Sequence, residues 1–180
     1  MLRFSKTASP IVVWNVTKKC NLSCAHCYIN AVGEEESEAD MGELTTREAM
    51  GMIEDLAAIK APMLAFSGGE PLLRNDIYEL NVYAMKLGLR TILSTNSTLI
   101  TREVAKKIKE AGFVYVGVSL DGSEEAHDRF RGARGAFEKS LQGLRYLMEE
   151  EVNTGVRFAI TNQNYDELPK VLEITRREKI

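Results

Sequence analysis

Short apolar runs alternate with stretches of helical periodicity along most of this chain. Ile11 to Thr17, Met63 to Phe66, Arg90 to Ser94, Phe113 to Leu120 and Val156 to Ile160 read as buried strands. Between them lie amphipathic stretches. Thr45 and Glu48 form a capping-box pattern and open a helix with Ile53, Leu56 and Ala57 on one face. Asn75-Asp76 begins a second helix, striped by Ile77, Leu80 and Ala84. Thr101 caps a third, with Val104, Ala105 and Ile108 inward. Ala136 to Glu150 carries Phe137, Leu141, Leu144 and Met148 at helical spacing, and Asn164 with Glu167 repeats the capping-box pattern before Leu168, Val171 and Leu172. Strand–helix alternation at this spacing predicts βαβ units, an α/β fold and a parallel sheet, with right-handed crossovers winding it one way. The 180 residues suit one domain with a sizeable core. Five units fall short of a closed eight-unit barrel.

All three cysteines, Cys20, Cys24 and Cys27, fall in one stretch, CNLSCAHC. The spacing C-x3-C-x2-C presents three thiolates from one loop. That is one fewer than a closed four-cysteine iron–sulfur site or most structural zinc sites have. A four-iron cluster held by three thiolates leaves one iron open to a substrate or cofactor. Zinc with His26 or His127 as fourth ligand stays open at this point, although His26 sits inside the C-x2-C loop. A disulfide framework is disfavoured by the odd count and by the lack of an apolar signal segment.

A second motif follows the second predicted strand, Ser67-Gly68-Gly69-Glu70-Pro71. Two glycines at a strand end allow close approach to the backbone. Glu70 there has a carboxylate able to accept from an ammonium group. In parallel α/β barrels ligands bind at the C-terminal ends of the strands. Each polar motif lies at such an end: the cysteines after strand one, Gly68 to Glu70 after two, Thr95-Asn96 after three, Ser119 to Asp121 after four and Thr161 after five.

Together the motifs resemble the radical S-adenosylmethionine (SAM) superfamily. Val13 to Thr17 before Cys20, and the stretches FSGGEPLLR, STNSTLI and VSLDGSEEAHDRFRG, are similar to its haem-biosynthesis and peptide-maturation (SPASM-type) subgroup. The resemblance implies a partial barrel of about five to six parallel βα units. It implies that residues 1–180 form the core domain, lacking the last unit and any C-terminal cysteine-rich extension. It further implies a [4Fe–4S] cluster on Cys20, Cys24 and Cys27, with the SAM amino and carboxylate groups on the open iron. Gly68, Gly69 and Glu70 would hold the amino group, and Ser119 and Arg131 the ribose or carboxylate. Asn96 would line the pocket, and His26 would stand where relatives favour an aromatic side chain near the adenine. Asp121 is either a turn residue or a ribose contact. Relatives usually place glycine after the asparagine; here Ser97 follows, which is disfavoured if that position needs a positive φ.

The activity implied is reductive cleavage of SAM to a 5′-deoxyadenosyl radical that takes a hydrogen atom from substrate. No catalytic side chain beyond the cluster is needed. The motifs look most like the branch acting on haem-type tetrapyrrole precursors; a peptide or protein side-chain maturase is the alternative. An inactive or partner-dependent fragment, with a partner chain supplying the missing barrel portion, is a further reading, and a simple electron carrier is disfavoured by the intact Gly68-Gly69-Glu70. A low-potential donor such as ferredoxin or flavodoxin is implied. The net charge of −3 gives no electrostatic case for nucleic acid. No apolar run approaches the ~20 residues of a membrane helix, and low cysteine usage fits a reducing cytoplasm. The acidic run Glu34 to Glu38 reads as a solvated loop.

Overall fold

The computed structural model describes residues 10–33, 35 and 42–180. The acidic run, apart from Glu35, lies outside them. Five strands form one wholly parallel sheet in sequential order: β1 (Val12–Asn15), β2 (Leu64–Ser67), β3 (Thr91–Thr95), β4 (Tyr115–Ser119) and β5 (Thr154–Arg157). The crossovers carry α1 (Thr46–Ala58), α2 (Ile77–Lys86), α3 (Arg102–Ala111), and the pair α4 (Glu124–Arg131) and α5 (Ala136–Glu149). Helix α6 (Leu168–Glu178) follows β5. This is the parallel α/β sheet that the alternation predicted, wound as the partial barrel that the resemblance implied.

The core lies between the sheet and its helices. Leu64, Phe66, Leu93, Val116 and Val118 meet Ile53, Ile77, Leu80, Ile108, Leu141, Leu144 and Leu147 in one buried cluster. A strand's side chains alternate between faces, so the residues between these core positions point to the concave side. Register places Ala65 beside Ile92, and Ser94 beside Gly117, which in turn pairs Gly155. The concave wall is therefore made largely of small or uncharged side chains.

Local chemistry sets the helix starts. Thr45 Oγ1 accepts from Glu48 N while Glu48 Oε2 accepts from Thr45 N, completing the expected capping box. Thr101 caps α3 through Val104 N, and Gly112 at φ 83° ends it. Three features depart from the sequence reading. The stretch Glu124–Arg131, for which no element was predicted, is a helix. Strand β5 starts two residues earlier than predicted and ends three earlier, at Arg157. The second capping box does not form: Asn164 Oδ1 accepts from Thr161 N, its Nδ2 donates to Asp121 O and Ala159 O, and Glu167 accepts from Ser123. Long-range partners outcompeted the local pattern.

Leu93 is fully buried at the centre of the sheet. Leu93→Ala is expected to lower unfolding free energy by about 2–5 kcal/mol, read from urea denaturation; a loss under about 1 kcal/mol would contradict this placement of the core.

Candidate functional site

The cysteine loop is fastened at both ends and in the middle. Val32 N donates to Lys18 O and Cys20 N to Val32 O, each at 2.9 Å, pinching residues 20–31 into a lobe. Ala25 N donates to Phe130 O at 2.9 Å, so the end of α4 grips the lobe's far side. Gly132, at φ 68°, packs so closely on this loop that a Cβ would fall 2.3 Å from Ser23 O. Cys20 and Leu22 are buried against Ala136 at the start of α5.

The Gly68-Gly69 pair serves this loop. Gly69 N donates to Thr17 O at 2.9 Å and Glu70 N to Lys19 O at 2.8 Å. A Cβ on Gly68, whose φ is 140°, would lie 2.5 Å from Thr17 O, and one on Gly69 would lie 2.2 Å from Lys19 O. Backbone close approach was foreseen; the backbone that approaches is the chain's own. Arg74, from the same stretch, adds a further tie, with Nη1 on Val16 O, Nη2 on Leu44 O and its plane over Trp14.

Glu70 is fully buried and does not line the cavity. Its carboxylate accepts from Thr95 Oγ1 and Asn96 N at 2.8 Å and from Leu72 N at 3.2 Å. Burial pushes its pKa up to about 7 against the pull of these donors. The side chain thus fixes the end of β3.

Asn96 ties β3 to the cysteine loop: Nδ2 donates to Asn21 Oδ1 at 2.9 Å and faces Cys20 Sγ at 3.9 Å. Ser97 does take a positive φ, 58°, while fully buried. Short polar residues tolerate this region better than most. Here Ser97 Oγ donates to Ser140 O, Ser140 Oγ donates to Asn96 O, and Gly143 leaves room for Ser97 O.

Arg131 is not a surface arginine. It is 8% exposed, donates from Nη2 to the buried carboxylate of Asp121, and reaches Cys24 Sγ with Nη1 at 3.6 Å. Asp121 is a positioning residue rather than a turn residue: its Oδ1 also accepts from Ala159 N, and its own N donates to His127 Nδ1 at 3.1 Å. His127 is fully buried, and burial lowers its pKa to about 4. Sequence reasoning missed the parts played by Asp121, His127 and Gly132. The signals were present: Ser123 before two glutamates, two arginines in the last turn and a terminal glycine spell out α4.

His26 stacks on Phe130 with ring centroids 4.1 Å apart, and its Nδ1 has no hydrogen-bond partner among the described residues. Burial is the main cause of its lowered pKa.

Cys20, Cys24, Cys27, His26, Gly68, Gly69, Asn96, Ser119 and Arg131 all line one cavity of about 410 Å³ at the C-terminal ends of the strands. Each thiol faces an N–H: Asn96 Nδ2 for Cys20, Arg131 Nη1 for Cys24, and Ala31 N at 3.2 Å for Cys27. All three thiols are free. Burial pushes the Cys20 thiol up to about 11 and raises Cys24 as well, the latter against the neighbouring Arg131. Among the described residues no three His, Cys, Asp or Glu converge closely enough for a single metal ion, as zinc would require. A four-iron cluster spreads its thiolates over separate irons, and its charge would offset the cost of ionising buried thiols. The donor set fits such a group.

The Radical SAM superfamily profile matches residues 14–174. The Fe-coproporphyrin III synthase of Methanosarcina barkeri is 48% identical over all of this chain, which spans 44% of that protein. The pre-heme d1 synthase of Dinoroseobacter shibae is 42% identical over 93% of the chain and 41% of its own length. The chain therefore spans less than half the length of these curated relatives. Among solved structures, Streptococcus suis SuiB bound to precursor peptide SuiA superposes with a TM-score of 0.80 at 17% identity, over 97% of this chain and 38% of that one. No described helix is long and apolar enough to cross a membrane.

The raised Glu70 carboxyl has a consequence for pH. Its protonated form is favoured by folding, so its contribution is present below about pH 4.5 and is lost as pH rises through about 7. Glu70→Gln is expected to flatten that part of the stability–pH curve of the metal-free protein; an unchanged slope across this window would rule out the shift.

Proposed function

Since the chain belongs to the radical SAM superfamily, we propose that it cleaves SAM reductively at a [4Fe–4S] cluster and uses the resulting radical to modify a haem-type tetrapyrrole precursor. The observation that carries this reading is the gathering of three free cysteines and the Gly68-Gly69 turn around one cavity, joined by backbone hydrogen bonds. Cys20, Cys24 and Cys27 would hold the cluster. When bound, cluster and SAM together supply the electron and the 5′-deoxyadenosyl radical; the protein supplies position and shelter from water.

This chain's residues divide that task. Arg131, braced by Asp121, offers donors beside Cys24 and suits a carboxylate. Gly68, Gly69, Asn96 and Ser119 border the space between the cysteine loop and the strand ends. Glu70 supports them from behind by holding Asn96 N and Thr95 Oγ1. His26, stacked on Phe130, offers a flat surface for an adenine ring.

The tetrapyrrole assignment is supported by relatives named for iron coproporphyrin III and pre-heme d1. Maturation of a peptide is the alternative, favoured by the fold shared with a protein solved with its precursor peptide. Residues 1–180 would be the SAM-cleaving core, with further chain or a partner completing the substrate wall.

After anaerobic reconstitution with iron, sulfide, SAM and a strong reductant, mass spectrometry should detect 5′-deoxyadenosine. Cys24→Ala should abolish both the cluster's visible absorbance and this product. A full four-iron content in that variant would refute the ligand assignment, and no product from a fully loaded parent would refute the radical reading for this chain.

A further inference from the structure

One cation stands on the concave wall without an acidic partner. Arg157 is the last residue of β5, and its stem crosses the sheet over Gly117, where a Cβ would lie 2.4 Å from Arg157 Cδ. Beyond Gly117 its Nη1 donates to Ser94 Oγ on β3. That hydroxyl is the one side-chain acceptor it reaches among the described residues. A guanidinium has five N–H donors in a planar fork, so most of this one's capacity is unused. The other guanidinium in the cavity, Arg131, is already neutralised by Asp121.

The glycine matters to the argument. Any side chain at position 117 would displace the arginine stem, so the wall is shaped to let a long cation lie along it. Arg157 is exposed yet lines the same cavity as the three cysteines. Among the described residues nothing in the packing needs its charge: its side-chain neighbours are the hydroxyl of Ser94 and the backbone of Gly117. An exposed, unneutralised fork in a cavity whose other guanidinium is already paired is a receptor for a planar anion.

We propose that Arg157 determines substrate specificity by receiving a propionate carboxylate of the tetrapyrrole. The inference rests on the tetrapyrrole reading above and adds to it the group on the protein that recognises the substrate's acid side chains. A two-pronged contact fixes orientation as well as affinity, so the propionate held by Arg157 would set which edge of the macrocycle turns toward the cysteine loop.

The test uses cluster-loaded protein with SAM, under anaerobic conditions, titrated with coproporphyrin III and separately with its tetra-amide, which keeps the ring and removes the carboxylates. Arg157→Gln is expected to weaken binding of the acid by about tenfold to a hundredfold. It should leave binding of the tetra-amide unchanged, with Arg157→Lys falling between for the acid. Thermal melting confirms that each variant folds. Equal affinity of the parent and Arg157→Gln for the acid would overturn the proposal. So would a loss of SAM affinity in Arg157→Gln with porphyrin affinity intact, which would give the guanidinium to the SAM carboxylate instead. Failure of the radical reading is separate: it shows as no 5′-deoxyadenosine from the loaded parent, whereas the acid and amide titrations score Arg157 directly.

Discussion

Past Asn15 the pairing of β1 with β2 does not stop; it runs on into the loops. Val16 N donates to Ser67 O, Gly69 N to Thr17 O, and Glu70 N to Lys19 O, at 2.8–2.9 Å. This extension holds the first cysteine in place. Each bond contributes modestly by itself, yet together they bring two loops closer than any side chain would permit at Gly68 or Gly69. The cysteine lobe then needs support only on its far side, and α4 provides it through Phe130 O and Gly132. Burial is the main cause that raises the Cys20 and Cys24 thiols, so the cost falls on their ionised forms, which a bound cluster's charge would offset. Backbone bonds at both flanks hold the lobe in place whichever form is present.

Buried polar residues at and behind the cavity wall do a second kind of work. Glu70 and Asp121 are both fully buried, and neither spends its carboxylate on solvent. Glu70 gathers donors from β3 and from the turn after Gly69; Asp121 gathers Arg131 and the backbone beyond β5. Each links strand ends that the sheet's own ladder no longer reaches. Such a group is destabilising when left unpaired and restricts conformation when satisfied. The cavity inherits that restriction: Asn96 is placed by Glu70 from behind the wall, and Arg131 by Asp121, which lines the cavity beside it.

How much of this could be read from the sequence depends on how local the physics is. The strands, the Thr45–Glu48 box and the Thr101 cap were legible because periodicity and capping act over a few residues. The cavity's cysteines, Gly68, Gly69, Asn96, Ser119 and Arg131 were legible because the motifs fall at strand ends, which a parallel sheet brings together. What failed was non-local. Asn164 and Glu167 match a capping pattern, but Asp121, Ala159 and Ser123 offer them better partners from distant segments. Nor does spacing say which way the Glu70 side chain turns: it places the Cα, while Thr95 and Asn96 from the end of β3 hold the carboxylate. A positive φ disfavours serine at position 97, and the structure adopts that φ nonetheless, since Ser140 and Gly143 come from a helix more than 40 residues away. Helix α4 was missed despite local signals, because its apolar face is short and its polar residues read as a loop.

The two cavity arginines show why residue type alone does not assign a role. Arg131 is 8% exposed, paired with a buried carboxylate and turned toward a thiol, so its charge is balanced inside the fold. Removing either partner there would strand the other, which is costly for a buried pair. Arg157 lies open on the wall against a neutral hydroxyl, so its charge is balanced by nothing in the described structure. A balanced, buried cation stabilises one arrangement of the site and offers only the donors left over. An unbalanced, exposed one costs the fold little and keeps its full attraction for an incoming anion. Side by side, they give the cavity one guanidinium set by the scaffold and one free to select what enters.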